Sequence, residues 1–186
     1  MKKIEIEIPD GKRAEWVDGV LTLVDESKPE SIMDRVKTFE DALNELDLIH
    51  PFVKSYYEYA DSSYSGEWKD ADILAYLKLR IICAALNEGW QPKFTEDERL
   101  YYPWFSLYSK GELENMSENN KKGVVVFDTD DYETKYAGLA CANSPYAPPY
   151  TIARVGSRLY LKSSDLAVYC GRQFINIWAD FLLRRK

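Results

Sequence analysis

The chain has 186 residues, 46% hydrophobic and 30% charged, with a formal net charge of −7. A chain of this size buries roughly 70% of its unfolded surface on folding, so it needs neither a disulfide framework nor a structural metal to hold a core. The composition is that of a globular chain rather than a disordered one. The acidic balance argues against a general electrostatic grip on nucleic acid, which needs several Lys and Arg on phosphates, and no apolar run approaches the ~20 residues of a membrane-spanning helix.

The opening "MKKIEIEIPDG" starts basic but lacks the apolar stretch of a signal peptide, which implies a cytoplasmic protein. Within it Ile4, Ile6 and Ile8 alternate with Lys3, Glu5 and Glu7, the period of a strand with one covered face. "PDG" is a turn, and "VDGV" is an Asp-Gly hairpin signal between "RAEW" and "VLTLV". The pattern predicts three short strands in a meander. The polar "DESKPES" that follows reads as a linker, making residues 1–25 a candidate β appendage and residues 31–186 a single main domain.

Helices come next. "TFEDALNEL" spaces Thr38 and Asp41 like a capping box, with Phe39, Ala42, Leu43 and Leu46 on one stripe. "HPFVKSYYEYA" carries Pro51 at a tolerated first-turn position. In "KDADILAYLKLRIICAALNEG", Ile73, Leu77, Ile81 and Ala84 share a face widened by Leu74 and Ile82, with Gly89 as the stop. So wide an apolar arc predicts a central helix packed on more than one side.

Beyond Gly89 the period changes. "RLYYPWFSLYS" reads as one strand, with Tyr102, Trp104 and Ser106 on one face and Tyr101 and Phe105 on the other. Pro103 cannot donate to a ladder, so this strand should be bulged or at an edge. "SKGELENMSENNKKG" predicts a short capped helix and a polar turn; "VVVF" a short buried strand; "AGLACAN" and "SRLYLK" further strands. "SSDLAVYCGRQFINIWADFLLRR" predicts one long amphipathic helix, N-capped by Ser163 or Ser164, with Leu166, Cys170, Phe174, Ile177 and Phe181 along its seam. The whole is α+β: a mostly antiparallel sheet from the C-terminal half on a central and a C-terminal helix, with an N-terminal β-meander appendage.

Catalytic signatures are sparse. His50 is the only histidine and sits beside Pro51 at a helix boundary, which removes multi-histidine metal sites. Cys83, Cys141 and Cys170 are widely spaced, form no CxxC pair and read as buried reduced thiols. In "VVVFDTDDYE" an apolar strand delivers Asp128 and Asp130, carboxylates that a hard cation would accept. No glycine-rich phosphate loop accompanies them, and Leu139 stands where an EF-hand needs its bidentate Glu, so an acidic turn is the simpler reading. No cofactor is implied. The loop "NSPYAPPYTIAR" is more telling. Tyr146 and Tyr150 stand among three prolines, and stiffly held tyrosines lose little entropy on docking. Tyr102 and Trp104 could extend that aromatic surface, and Arg154 and Arg158 supply positive charge beside it.

"VKTFEDALNEL", "AYLKLRIICAALNEGW", "YYPWF" and "GSRLYLKSSDLAVYCGRQFINIWADFLL", with the N-terminal "IEIPDGKRAEWVDGVLTLV", resemble a group of uncharacterised proteins encoded by phages and prophages of gut anaerobes. The likeness spans nearly the whole chain in the same order. It implies an accessory protein made in the host cytoplasm during infection, or a virion component, and carries no assigned activity. The expectation is therefore a non-enzymatic protein that binds a host defence or nucleic-acid-handling protein through an acidic, aromatic surface. The alternatives are a nucleotide or single-stranded nucleic-acid binder that stacks bases on Tyr and Trp with Arg154 and Arg158 on phosphate, and a virion structural component.

Overall fold

A computed structural model describes residues 7–9, 11–17, 19–25, 31–61, 70–93, 95, 97–127, 130–132, 134–143, 146–147 and 157–183. Strands β1 (Lys12–Val17) and β2 (Val20–Asp25) form an antiparallel hairpin in the register Trp16↔Leu21 and Ala14↔Leu23. Gly19 takes φ +80°, a value that suits glycine and that an Asp-Gly turn requires. The hairpin matches the sequence reading. The third strand expected before it falls largely on residues outside those described, and residues 7–9 are not in a strand. Most of the expected linker also lies outside the described residues.

Four helices follow: α1 (Ile32–Arg35), α2 (Phe39–Glu45), α3 (Pro51–Asp61) and α4 (Ala71–Leu86). The capping box of α2 is formed as expected. The Asp41 N–H donates to Thr38 Oγ1 at 3.1 Å, and the Thr38 N–H donates to the Asp41 carboxylate at 2.8 Å. Along α4 burial begins at Ala75 and becomes all-round near the C-terminal end, where Ile81, Ile82, Cys83, Ala85 and Leu86 are all enclosed. The helix touches α2 and α3 as well as the C-terminal helices, the packing on more than one side that its wide apolar arc predicts. Ile73 precedes the enclosed stretch and is 40% exposed, whereas Leu79 is fully buried.

Pro103 divides the aromatic stretch. Strand β3 (Leu100–Tyr101) ends before it and β4 (Trp104–Ser109) begins after it. Then come α5 (Lys110–Asn115), α6 (Glu118–Lys121), β5 (Val124–Val126), β6 (Tyr136–Asn143) and β7 (Tyr146–Ala147). β3 pairs with β7, while β4 joins an antiparallel sheet of order β4-β6-β5 with a register shift at Trp104/Phe105. β4 is thus bulged and at an edge, as its proline demands. It is not continuous with β3, so Tyr102 and Trp104 do not share an exposed face: Tyr102 is 6% exposed and Trp104 44%. β5 is the opposite edge, and Val126 at 65% exposure corrects the expectation of a fully buried strand.

"SRLYLK" is not a strand. Ser157–Leu159 is a 3-10 turn, Leu159, Tyr160 and Leu161 are all buried, and Leu161 alone bridges to Tyr101. Three consecutive enclosed side chains defeat the alternation a strand needs. The C-terminal helix is broken at Phe174 (φ −110°, ψ 28°) into α7 (Ser164–Gln173) and α8 (Ile175–Leu182). The break gives each half its own main neighbour: α7 lies chiefly on the sheet, α8 chiefly on α4. Ser163 caps α7 by accepting the Leu166 N–H at 3.3 Å.

The main core joins α4 to Leu159, Leu161, Leu166, Cys170, Phe174 and Trp178. Trp178 is almost fully enclosed, its ring 5.2 Å from that of Phe105 and 5.9 Å from that of Phe181. Each such large side chain contributes roughly 1.5–3 kcal/mol by leaving water. The architecture is α+β, an antiparallel sheet against helices with an N-terminal hairpin.

Candidate functional site

Three surface features stand out, and each follows from local sequence. The first is the hairpin. Residues directly opposite across an antiparallel pair share a face. One face of β1–β2 therefore carries Lys12, Ala14, Trp16, Leu21 and Leu23, and the other carries Arg13, Glu15, Val17, Val20, Thr22 and Val24. The apolar face is uncovered among the described residues: Trp16 is 71% exposed, and Leu21 and Leu23 are also exposed. The two strands contact each other and make at most marginal contact with other elements. A lone two-stranded hairpin is at best marginally stable in water, so such a face has reason to be covered.

The second feature is a trough of about 400 Å³ beside β4, lined by Tyr102, Pro103, Trp104, Phe105, Leu107, Leu139, Leu182 and Leu183. Its lining is mostly apolar. Trp104, Leu107 and Leu182 keep substantial surface there, while Tyr102 contributes to the lining with little surface of its own.

The third is a cavity of about 640 Å³ where the start of α3, the end of α4, residues 89–92 and the 3-10 turn converge. His50, Phe52, Trp90, Tyr160, Gln91 and Arg158 are among its lining residues. The Arg80 guanidinium lies 4.1 Å from the Phe52 ring centre and that of Arg158 lies 5.5 Å from it, both within cation–π range. Asn87, the buried polar residue at the end of α4, ties the walls together. Its Nδ2 donates to the Tyr160 carbonyl at 2.8 Å, and its Oδ1 accepts the Lys162 N–H at 3.0 Å. Outside the cavity Glu88 accepts from Arg35 at 2.8 Å and from Lys162 at 2.7 Å, and these two hydrogen bonds hold its carboxyl below the usual range. His50 Nδ1 accepts the Phe52 N–H at 3.2 Å, serving the helix boundary the sequence assigned to it. Burial, then the nearby Arg80 charge, lowers the pKa of its imidazole and favours the neutral form.

The sequence-derived site residues are scattered by the fold. Trp104 is displayed, Tyr102 is not: its ring meets that of Tyr160 edge-on at 6.1 Å, inside a small satellite core. Tyr146 pairs through its backbone with Tyr101, and Tyr150 and Arg154 lie outside the described residues. Arg158 lines the cavity rather than an aromatic loop surface. Asp130 is exposed in a turn, and Asp128 lies outside the described residues. Among the described residues no group of three or more His, Cys, Asp or Glu is placed to hold a metal ion. No described helix is long and apolar enough to cross a membrane. The cysteines are all buried and reduced. A hydrogen bond to the Cys170 thiol, reinforced by burial, pushes Cys83 up, and burial pushes Cys141 up to about 11, so neither is an activated nucleophile.

Reading the sequence missed Phe52 and Arg80 as site residues. The available signal was Arg80 itself, a charge inside an otherwise apolar helical segment. No family model, curated protein or solved structure matches the chain.

Proposed function

We propose that this is a non-enzymatic binding protein that docks a partner protein on the apolar hairpin face, with the Trp104 trough as a second contact. The observation that carries the reading is the hairpin register, which gathers Ala14, Trp16, Leu21 and Leu23 on one face that no described residue covers. Aromatic and aliphatic groups of this kind are the usual anchors of an interface, and a Trp is the commonest hot spot. The occupant is a protein with an apolar patch ringed by basic groups, because a chain with net charge −7 attracts such a rim and repels an acidic one. The resemblance to phage-encoded proteins makes that partner a host factor, and a basic rim is characteristic of proteins that handle nucleic acid.

The test is capture from a lysate of the host, with the immobilised full chain and its Trp16→Ser/Leu21→Ser and Trp104→Ser variants. We expect one dominant captured protein, lost with the hairpin variant and weakened with Trp104→Ser, the loss at Trp16 being on the order of 30-fold. The melting temperature should hold for the hairpin variant, because β1 and β2 make at most marginal contact with other elements. Undiminished capture by the hairpin variant refutes the proposal.

A further inference from the structure

The cavity beside α3 and α4 combines flat rings with positive charge that nothing in the described structure neutralises. Arg158 lines it, and Arg80 lies against Phe52, one of its walls. Neither guanidinium is ion-paired among the described residues, and Arg80 Nε is buried without a hydrogen-bond partner. Among the described residues no carboxylate lines the cavity. Of the acids next to its lining residues in sequence, Glu88 holds Arg35 and Lys162, Glu45 holds Arg35 at 3.2 Å, and Asp47 accepts the Ile49 N–H at 3.4 Å. The chain has 31 acidic residues against 24 basic ones, so two arginines left together around one ring, with no acid of their own among the described residues, call for an external anion. Arg80 is half-buried with its Nε out of water, where an uncompensated charge is costly, and a bound anion offsets that cost; Arg158 is exposed and free to meet the same anion.

The lining supplies the rest of a recognition set. Phe52 and Trp90 line it as half-buried rings, and Tyr160, 3% exposed, closes the wall from the satellite core. His50 is held neutral with Nδ1 accepting the Phe52 N–H, which leaves Nε2–H as a donor on a residue of the wall. Gln91 adds an amide. The volume of about 640 Å³ falls within the roughly 300–1,000 Å³ of small-molecule sites. The walls come from four segments that converge on one hollow, which suits a single small molecule better than a strand laid along a track.

We infer that this cavity binds a small organic anion carrying a flat ring, with a nucleoside monophosphate as the representative chemistry. The ring lies against Phe52 and Trp90, and the anion takes Arg158 with the Nε2–H of His50. The site is separate from the hairpin face and does not depend on it.

Isothermal titration at low salt tests this, with AMP, GMP, CMP and UMP as ring phosphates and indole-3-acetate and 4-hydroxyphenylacetate as ring carboxylates. Adenosine and inorganic phosphate are the half-ligand controls. We expect at least one ring-bearing anion to bind, with both controls at least about tenfold weaker. Arg158→Gln, at an exposed position, should fold as the parent does and lose about tenfold or more in affinity, the scale of one charge-assisted hydrogen bond. The Trp16→Ser/Leu21→Ser variant should bind the same ligand unchanged. No binding across the panel at millimolar concentration overturns the inference. So does neutral adenosine binding as tightly as its phosphate, or Arg158→Gln binding as the parent does.

Discussion

Helix α7 meets the sheet at Gly171, and replacing that glycine by alanine probes the packing of the whole second half. A Cβ added there would stand 2.5 Å from Cys141 Sγ, 2.8 Å from Pro103 Cβ and 3.1 Å from Cys141 Cβ. None of these atoms is the free end of a flexible chain: one belongs to a proline ring and the others to a buried cysteine on the central strand. Overpacking at such a site costs typically 1–3 kcal/mol, and the rigid neighbours put Gly171→Ala at about 2–3 kcal/mol. Alanine returns about 1 kcal/mol of helix propensity, leaving a net loss of about 1–2 kcal/mol. For a chain of 186 residues that is a fall in Tm of about 2–8 °C. Gly111, in α5, supplies the control, because an added Cβ there meets nothing within 4 Å. Gly111→Ala should raise stability by up to about 1 kcal/mol. Thermal unfolding by circular dichroism with chemical denaturation alongside reads both. If Gly171→Ala matches or exceeds the parent in stability, α7 does not approach β6 and Pro103 this closely, and the packing described here is wrong.

Asn87→Ala removes two hydrogen bonds, the one to the Tyr160 carbonyl and the one from the Lys162 N–H; at about 0.5–1.5 kcal/mol net for each bond we expect a loss of about 1–3 kcal/mol in urea unfolding, and an unchanged stability would contradict the assigned bonds. Glu88 has a folded-state pKa below its ordinary value of 4.5, through its hydrogen bonds with Lys162 and then Arg35. Its contribution is therefore fully present above that value and declines as the pH falls through the folded pKa. The carboxylate is partly exposed, so the effect is modest. Glu88→Gln should be slightly less stable than the parent at neutral pH and converge with it in acid, as denaturation curves at several pH values will show; an equal gap at all pH values would mean that the ion pairs do not matter.

How far the fold was legible depended on how local its causes were. The α2 capping box, the Asp-Gly hairpin, Pro51 at the start of α3 and the Ser163 cap were readable because their physics sits within a few residues. The break at Phe174 was not, since the apolar seam runs straight through it and only the demands of two different neighbours, the sheet and α4, divide the helix. Likewise "LYL" at 159–161 looks like a strand but is enclosed from several sides, so long-range packing overrides alternation. Pro103 announced a fault in its strand, but not that the chain would exchange β7 for β6 across it, which is what separates Tyr102 from Trp104. The site was less legible still. Arg158 was singled out for its charge, but its neighbours Phe52, Arg80 and Trp90 come from distant segments that only tertiary structure assembles.

Hydrogen–deuterium exchange on the protein alone and in complex with the captured partner tests the binding reading most directly. We expect the amides of β1 and β2 to exchange fast in the isolated protein and to gain protection in the complex, with a smaller gain along β4. Strands β1 and β2 already protected in the isolated protein, or protection gained only elsewhere, would contradict the docking role of the hairpin.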